Sequence, residues 1–238
     1  MTMNSHQGPE SHTHSVAAKQ NWLRASVLGA NDGIVSLAAL VVGIAGAAVS
    51  NHTLLLTGVA GILAGALSMA VGEYISVNSQ RDTEHALLKK ERFELDNYAA
   101  SELDELTAIY EKKGLKPETA RIVAEELSAH DVFAAHVDAE LGIDPDNLTN
   151  PWHAAVASAA SFFAGALIPF IAILVAPVAV RIPVTFVAVV VALIITGILS
   201  ARASGVSPLV VTARSVIGGL IAMFVTFGIG RLLDVNLK

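Results

Sequence analysis

The sequence predicts an all-α, polytopic membrane protein of five transmembrane helices, with an acidic, water-facing three-helix domain inserted between the second and the third. Three observations predict it. Of 238 residues, 53% are hydrophobic and 15% charged, where an ordinary soluble domain carries about 25% charged residues. The apolar residues fall in five long blocks of near-spanning length, as a bilayer core requires of helices that must satisfy their own backbone hydrogen bonds. The charge is segregated: residues 78–150 hold 17 of the 21 Asp and Glu but 8 of the 15 Lys and Arg.

The chain divides accordingly into a polar tail (1–21), helices one and two (22–77), the acidic domain (78–150) and helices three to five (151–238). The tail carries His6, His12 and His14 without a signal-peptide pattern, and is expected to be disordered or a loose metal binder. The first block is Val27–Val49, with Asp32 as its only charge. The second is Thr53–Val71, followed by Gly72-Glu73-Tyr74. The third, Trp152–Val180, contains Pro169 and Pro177. The fourth is Val184–Ala201, and the fifth is Val206–Gly230, interrupted by Arg214. Short links make neighbours antiparallel. Within the acidic segment a helix is expected from about Ser79 to Lys112, continuing out of span two and broken by Gly114. A second opens at Pro117-Glu118, and a third covers about Asp131 to Leu141 and stops at Gly142.

Basic residues flanking the spans give the orientation. Lys19, Arg24, Arg81, Lys89, Lys90, Arg92, Arg202 and Arg214 fall on one side, Arg181, Arg231 and Lys238 on the other. The first set places the N-terminus and the acidic domain in the cytosol. The excess of 17 acidic over 8 basic residues in 78–150 argues against nucleic-acid binding by that domain and for cation collection. The chain has no cysteine, which excludes disulfides, zinc fingers, iron–sulfur clusters and thiol chemistry. Any metal must be held by oxygen, imidazole or thioether. Ferritin-like Glu-x-x-His pairs, a P-loop, Gly-x-Ser-x-Gly and His-Glu-x-x-His are all missing, so an enzyme is not expected.

Asp32 is the sharpest signal. A carboxylate in hydrocarbon costs roughly 2.5–3.5 kcal/mol on insertion scales, so it marks an ion path unless it merely caps a helix at the interface. The flanking Gly29 and Gly33 would let the helix open locally. Met69 in span two reads as core filler, or as a thioether meeting Asp32 in a site for a borderline transition metal. Glu73 stands at the end of span two, either at the mouth of a path or as an interfacial carboxylate. Glu91, Glu94, Glu102 and Glu105 fall on one stripe of a straight helix, with Glu84 near it, because eleven residues return within about 20° of the start. The stripe is a solvated face or a cation site. His136 and Glu140, four apart, share a face. Packed against the stripe, they would complete an oxygen-rich site with one imidazole, suited to Fe²⁺, Mn²⁺ or Zn²⁺.

Leu28-Gly29-Ala30-Asn31-Asp32-Gly33, the run from Ala64 to Val77 containing Met69, Gly72 and Glu73, and Ser79-Gln80-Arg81-Asp82 together resemble the vacuolar iron transporter (VIT) family. So do the Glu-rich helix and Glu140-Leu141-Gly142, and the resemblance covers nearly the whole chain from Trp22. It implies a five-span homodimer in a membrane, with the path at the dimer interface. It also implies a transporter moving Fe²⁺, and also Mn²⁺, out of the cytosol in exchange for protons. Asp32 and Met69 take the pathway roles. Glu91, Glu94, Glu102, Glu105 and Glu140 take the collecting roles, with His136 where family members often have Met. No prosthetic group is implied. The membrane would be the cell membrane in a prokaryote and the vacuolar membrane in a eukaryote. The alternative class is a membrane-bound metal sensor or store, which would not need Asp32 in the bilayer.

Overall fold

The computed structural model describes residues 13–47, 49–146 and 148–236. Among them the regular structure is helical throughout: α1 (Thr13–Gly46), α2 (Asn51–Lys112), α3 (Pro117–His136), a π-helical turn (Val137–Leu141), α4 (Pro151–Val175), α5 (Arg181–Ser204) and α6 (Pro208–Asn236). Five helices contain stretches long and apolar enough to cross a membrane. By contacts the chain forms two compact units, Ser76–Asn150 and Ser15–Ile75 with Pro151–Lys238.

In the apolar unit α1 is the central helix, because it has two apolar stripes rather than one. Leu37, Val41 and Ala45 are buried with Leu54 and Ile62 of α2 and with Phe162, Ala166 and Ile173 of α4. Ile34, Ala38 and Val42, one stripe round, are buried with Val189, Ala192 and Leu193 of α5 and Met223 of α6. Both stripes repeat every four residues, as neighbours on a helix surface must. Asp32 lies in neither stripe.

The glycines of α1 serve contact rather than opening. A Cβ on Gly33 would lie 2.1 Å from the Phe162 carbonyl oxygen, and one on Gly29 would lie 2.5 Å from that of Ser158. Only a glycine lets α1 and α4 approach so closely. The helix runs unbroken through Gly29–Gly33, so the local opening expected there does not occur.

Several boundaries differ from expectation. The helix α1 begins at Thr13, so residues 13–21 of the expected disordered tail are helical; His6 and His12 lie outside the described residues. The third span ends at Val175, before Pro177, which falls in the turn to α5. The fourth span gains residues at both ends and is stopped by Gly205 at φ 66°. At the opposite end of that helix, buried Arg181 donates to Asn51 Oδ1 at 2.9 Å, tying the start of α2 to the start of α5. At the start of α4, Trp152 packs on Tyr74 with ring centroids 4.8 Å apart, an aromatic pair of the kind that settles at a headgroup boundary.

In the acidic unit the breaks fall at Gly114 (φ 103°) and Gly142 (φ 61°), the two expected glycines. A third break lies at Asp131 (φ −157°, ψ 99°), inside α3, where the third helix was expected to begin. Asp131 acts as an N-cap there, its Oδ1 accepting from the Ala134 N–H at 3.0 Å. A fourth break was not expected: Tyr98 has φ −133° and ψ 31°, outside helical values, so the Ser79–Lys112 stretch is two rods rather than one. Just before it, Asn97 Nδ2 donates to the Phe93 carbonyl at 2.7 Å, satisfying one of the carbonyls the first rod leaves open.

Candidate functional site

The acidic unit gathers Glu91, Glu102, His136 and Glu140, each offering one ligand atom within 4.8 Å of the others. On a straight helix Glu91 and Glu102 would be separated by about 16 Å of rise. The break at Tyr98 is what brings the two carboxylates face to face. The expected single stripe is therefore corrected: residues 91 and 94 belong to one rod, 102 and 105 to the next. His136 arrives from the end of α3, and Glu140 from the π-helical turn that follows. Arg92 lies 4.3 Å above the Phe133 ring, a second tie between the first rod and α3.

Three of the four are buried, with Glu91 2%, Glu102 6% and His136 0% exposed, while Glu140 is exposed. His136 Nδ1 stands 3.1 Å from Glu91 Oε1 and 3.8 Å from Glu102 Oε2. Neither His136 nitrogen nor Glu91 Oε1 has a hydrogen-bond partner. Buried polar atoms without partners are costly and call for a reason. His136 Nδ1 and Glu91 Oε1 face each other at 3.1 Å, a pair that a proton or a cation would join.

The electrostatics agree. Burial, then the charges of Glu140 and Glu102, pushes the Glu91 carboxyl up to about 7. Burial, then Glu105 and Glu94, raises Glu102 as well. Burial lowers His136 against the pull of Glu140 and Glu105, which favours the neutral imidazole that a metal requires. Three carboxylates and one imidazole form a donor set for a divalent ion of borderline hardness.

Glu94 and Glu105 stand outside this group. Glu94 is bound to Lys90 at 2.7 Å, and Glu105 is exposed; both act on it through charge. Glu84 accepts from Gln80 Nε2 at 2.8 Å and takes no part.

In the apolar unit, Asp32 and Met69 line one cavity of about 190 Å³, walled also by Ser36, Leu37, Leu40, Gly61, Gly65, Ser68 and Phe162. The antiparallel pairing of α1 and α2 thus sets the carboxylate and the thioether on one space. Ser36 donates a hydrogen bond to Asp32 Oδ1. The neighbouring Asn31 points elsewhere and accepts from Thr196 Oγ1 of α5 at 2.8 Å, which helps to fix the rotation of α1. Glu73 is four residues from Met69 and half-buried, so it shares that side of α2, but it is not among the residues lining the cavity. Ser36 and Ser68 escaped the sequence reading. The signal available was position alone, Ser36 one turn after Asp32 and Ser68 beside Met69.

The VIT family model matches residues 23–231. A vacuolar iron transporter of Acanthamoeba castellanii is 40% identical over 225 residues, covering 92% of this chain and 81% of the relative. Vacuolar iron transporter homolog 2 of Arabidopsis thaliana is 35% identical over 226 residues, 94% and 90% of the two chains. Vacuolar iron transporter homolog 1 of Oryza sativa subsp. japonica is 34% identical over 220 residues, 92% and 77%. With five apolar helices and a family match running almost end to end, the chain belongs to the VIT family, a family of transporters rather than enzymes.

Proposed function

We propose that the protein moves Fe²⁺, and also Mn²⁺, out of the cytosol across the membrane it spans, in exchange for protons. The observation that carries the reading is the shared cavity of Asp32 and Met69, donors from two different spans set on one space. A carboxylate at that depth persists when it faces an ion path, and a carboxylate with a thioether suits a transition metal better than Mg²⁺ or Ca²⁺. The names of the relatives support iron as cargo.

In this scheme Glu91, Glu102, His136 and Glu140 capture the ion on the cytosolic side, helped by the charges of Glu94 and Glu105. Glu73 receives it at the mouth of the path, and Asp32 and Met69 carry it through. A proton arriving at Asp32 from the far side releases the ion there. The positive flanks of the spans support a cytosolic acidic domain.

Dimerisation follows the same logic. Ser36 and Ser68 are exposed and Asp32 half-buried in the single chain, so the cavity opens on the surface of the bundle. A polar opening facing lipid is unfavourable, and a second copy would cover it. The apolar face of α2 beside it, with Leu56, Leu63 and Leu67 exposed, could pack in that contact.

Flux of Fe²⁺ and Mn²⁺ into proteoliposomes carrying a metal-quenched dye tests the reading. Saturable flux lost in Met69→Ala and Asp32→Asn supports it. A second reading, a membrane-bound metal sensor or store, is favoured by the buried ligand group of the acidic unit, which is complete without any residue of the spans. Tight binding with no flux under any gradient would select that reading.

A further inference from the structure

Three hydroxyls of the membrane helices donate to the backbone of their own helix, and Ser36 does not. Thr185 donates to the Arg181 carbonyl at 2.7 Å, Ser215 to Val211 at 3.1 Å and Thr226 to Ala222 at 2.9 Å. Each thus returns its proton to the backbone four residues earlier, the usual resting place of such a group in an apolar helix. Ser36 is also four residues past a possible carbonyl acceptor, but its hydroxyl donates to the side-chain Oδ1 of Asp32 instead. Both side chains line the cavity, together with Ser68 and Met69 from α2.

We propose that Ser36 is a positioning residue for ion passage: its hydroxyl holds the Asp32 carboxylate so that the remaining oxygen is presented to an ion in the cavity. The proposal rests on the reading of Asp32 as a transport ligand. With Oδ1 engaged, the carboxylate loses its rotational freedom before the ion arrives, so less ordering remains to oppose binding. The lone pairs of the Ser36 oxygen stay available on the same wall. The ion then meets a carboxylate oxygen, the hydroxyls of Ser36 and Ser68, and the thioether of Met69. The bond of Asn31 to Thr196 helps to fix the rotation of α1; Ser36 fixes the side chain that this rotation presents.

The test measures initial rates of Fe²⁺ and Mn²⁺ flux against ion concentration, using the full-length protein in proteoliposomes. A hydrogen bond to a charged group corresponds to roughly a tenfold or greater effect on an equilibrium. Ser36→Ala is therefore expected to raise KM by about tenfold while the maximal rate changes by less than about twofold. Ser36→Thr, which restores a hydroxyl, is expected to bring KM back to within about threefold of wild type. Ser36→Val has neither a donor nor a metal ligand and should behave as Ala does; it stands in for Ala if thermal unfolding in detergent shows that Ser36→Ala does not fold. A wild-type KM in both Ala and Val variants overturns the proposal. So does a raised KM in Ala that Thr fails to correct, since packing rather than the hydroxyl would then be responsible. Wild-type flux in Asp32→Ala overturns the underlying reading of Asp32 instead, and is recognised without any Ser36 variant.

Discussion

Glu91→Gln should make the protein more stable without metal and less able to bind it. The Glu91 carboxyl is pushed from 4.5 to about 7, by burial first and then by Glu140 and Glu102. At about 1.4 kcal/mol per unit, this is roughly 3 kcal/mol of penalty on the ionised form in the folded state. The folded value lies above the unfolded one, so native Glu91 keeps a proton that the unfolded chain has already lost between pH 4.5 and about 7. Its contribution to stability is full below 4.5 and is lost as pH rises through about 7. Gln is close in shape and never ionises. At about pH 8 the variant should gain up to roughly 3 kcal/mol in the presence of chelator, and at about pH 5 it should differ little from wild type. Neighbouring carboxylates share the strain, so 3 kcal/mol is the upper figure. The assay is thermal unfolding of the full-length protein in detergent, followed by circular dichroism, with chelator or with Mn²⁺ at both pH values. Wild type should be stabilised more by the metal than the variant is, because binding to the native state raises stability in proportion to affinity. A variant less stable than wild type at the higher pH in chelator, or equally stabilised by Mn²⁺, would refute the reasoning.

Other outcomes follow from the same geometry. Metal affinity of the acidic unit should rise with pH up to about 7 and then level, because Glu91 must release its proton while His136, lowered by burial, is already neutral; calorimetric titration in two buffers of different ionisation heat reads that proton. His136→Ala should weaken Mn²⁺ binding by about tenfold or more, by removing the only imidazole in the group. Gly33→Ala should destabilise the membrane unit by roughly 1–3 kcal/mol, since its Cβ would meet the Phe162 carbonyl oxygen at 2.1 Å; a lowered unfolding temperature in detergent checks it. Met69→Leu keeps the apolar volume and removes the thioether, so Fe²⁺ flux should fall more than Mn²⁺ flux.

Much of the architecture was legible because the bilayer imposes a simple code. Apolar blocks of spanning length marked the five helices, and Gly114 and Gly142 marked two breaks in the acidic unit, where the backbone turns left-handed. Asp32 was legible as a charge where charge is expensive, and Met69 as its neighbour through antiparallel pairing. The break at Tyr98 was not. Its surroundings, Asp96-Asn97-Tyr98-Ala99-Ala100, contain neither glycine nor proline, so local propensity continues the helix where the structure breaks it. Asn97, capping the Phe93 carbonyl, was the one local hint. For the same reason the sequence paired Glu91 with Glu102 by the wrong geometry: they meet because the rod breaks, not because eleven residues close three turns. Glu94 and Glu105, equal members of the stripe on paper, fall outside the ligand group. The glycines of α1 were legible as important but not in kind, since close packing on α4 depends on residues more than a hundred positions away.

The central claim is that Asp32 stands on an ion path coupled to protons, and one measurement addresses it most directly: Fe²⁺ flux into proteoliposomes under an imposed proton gradient, wild type against Asp32→Ala. The account predicts wild-type flux that grows with the gradient and collapses when the gradient is dissipated, and flux at the level of protein-free vesicles in the variant, with Fe²⁺ binding by the acidic unit retained. Flux through Asp32→Ala at the wild-type rate, or wild-type protein that binds Fe²⁺ and moves none under any gradient, would contradict it.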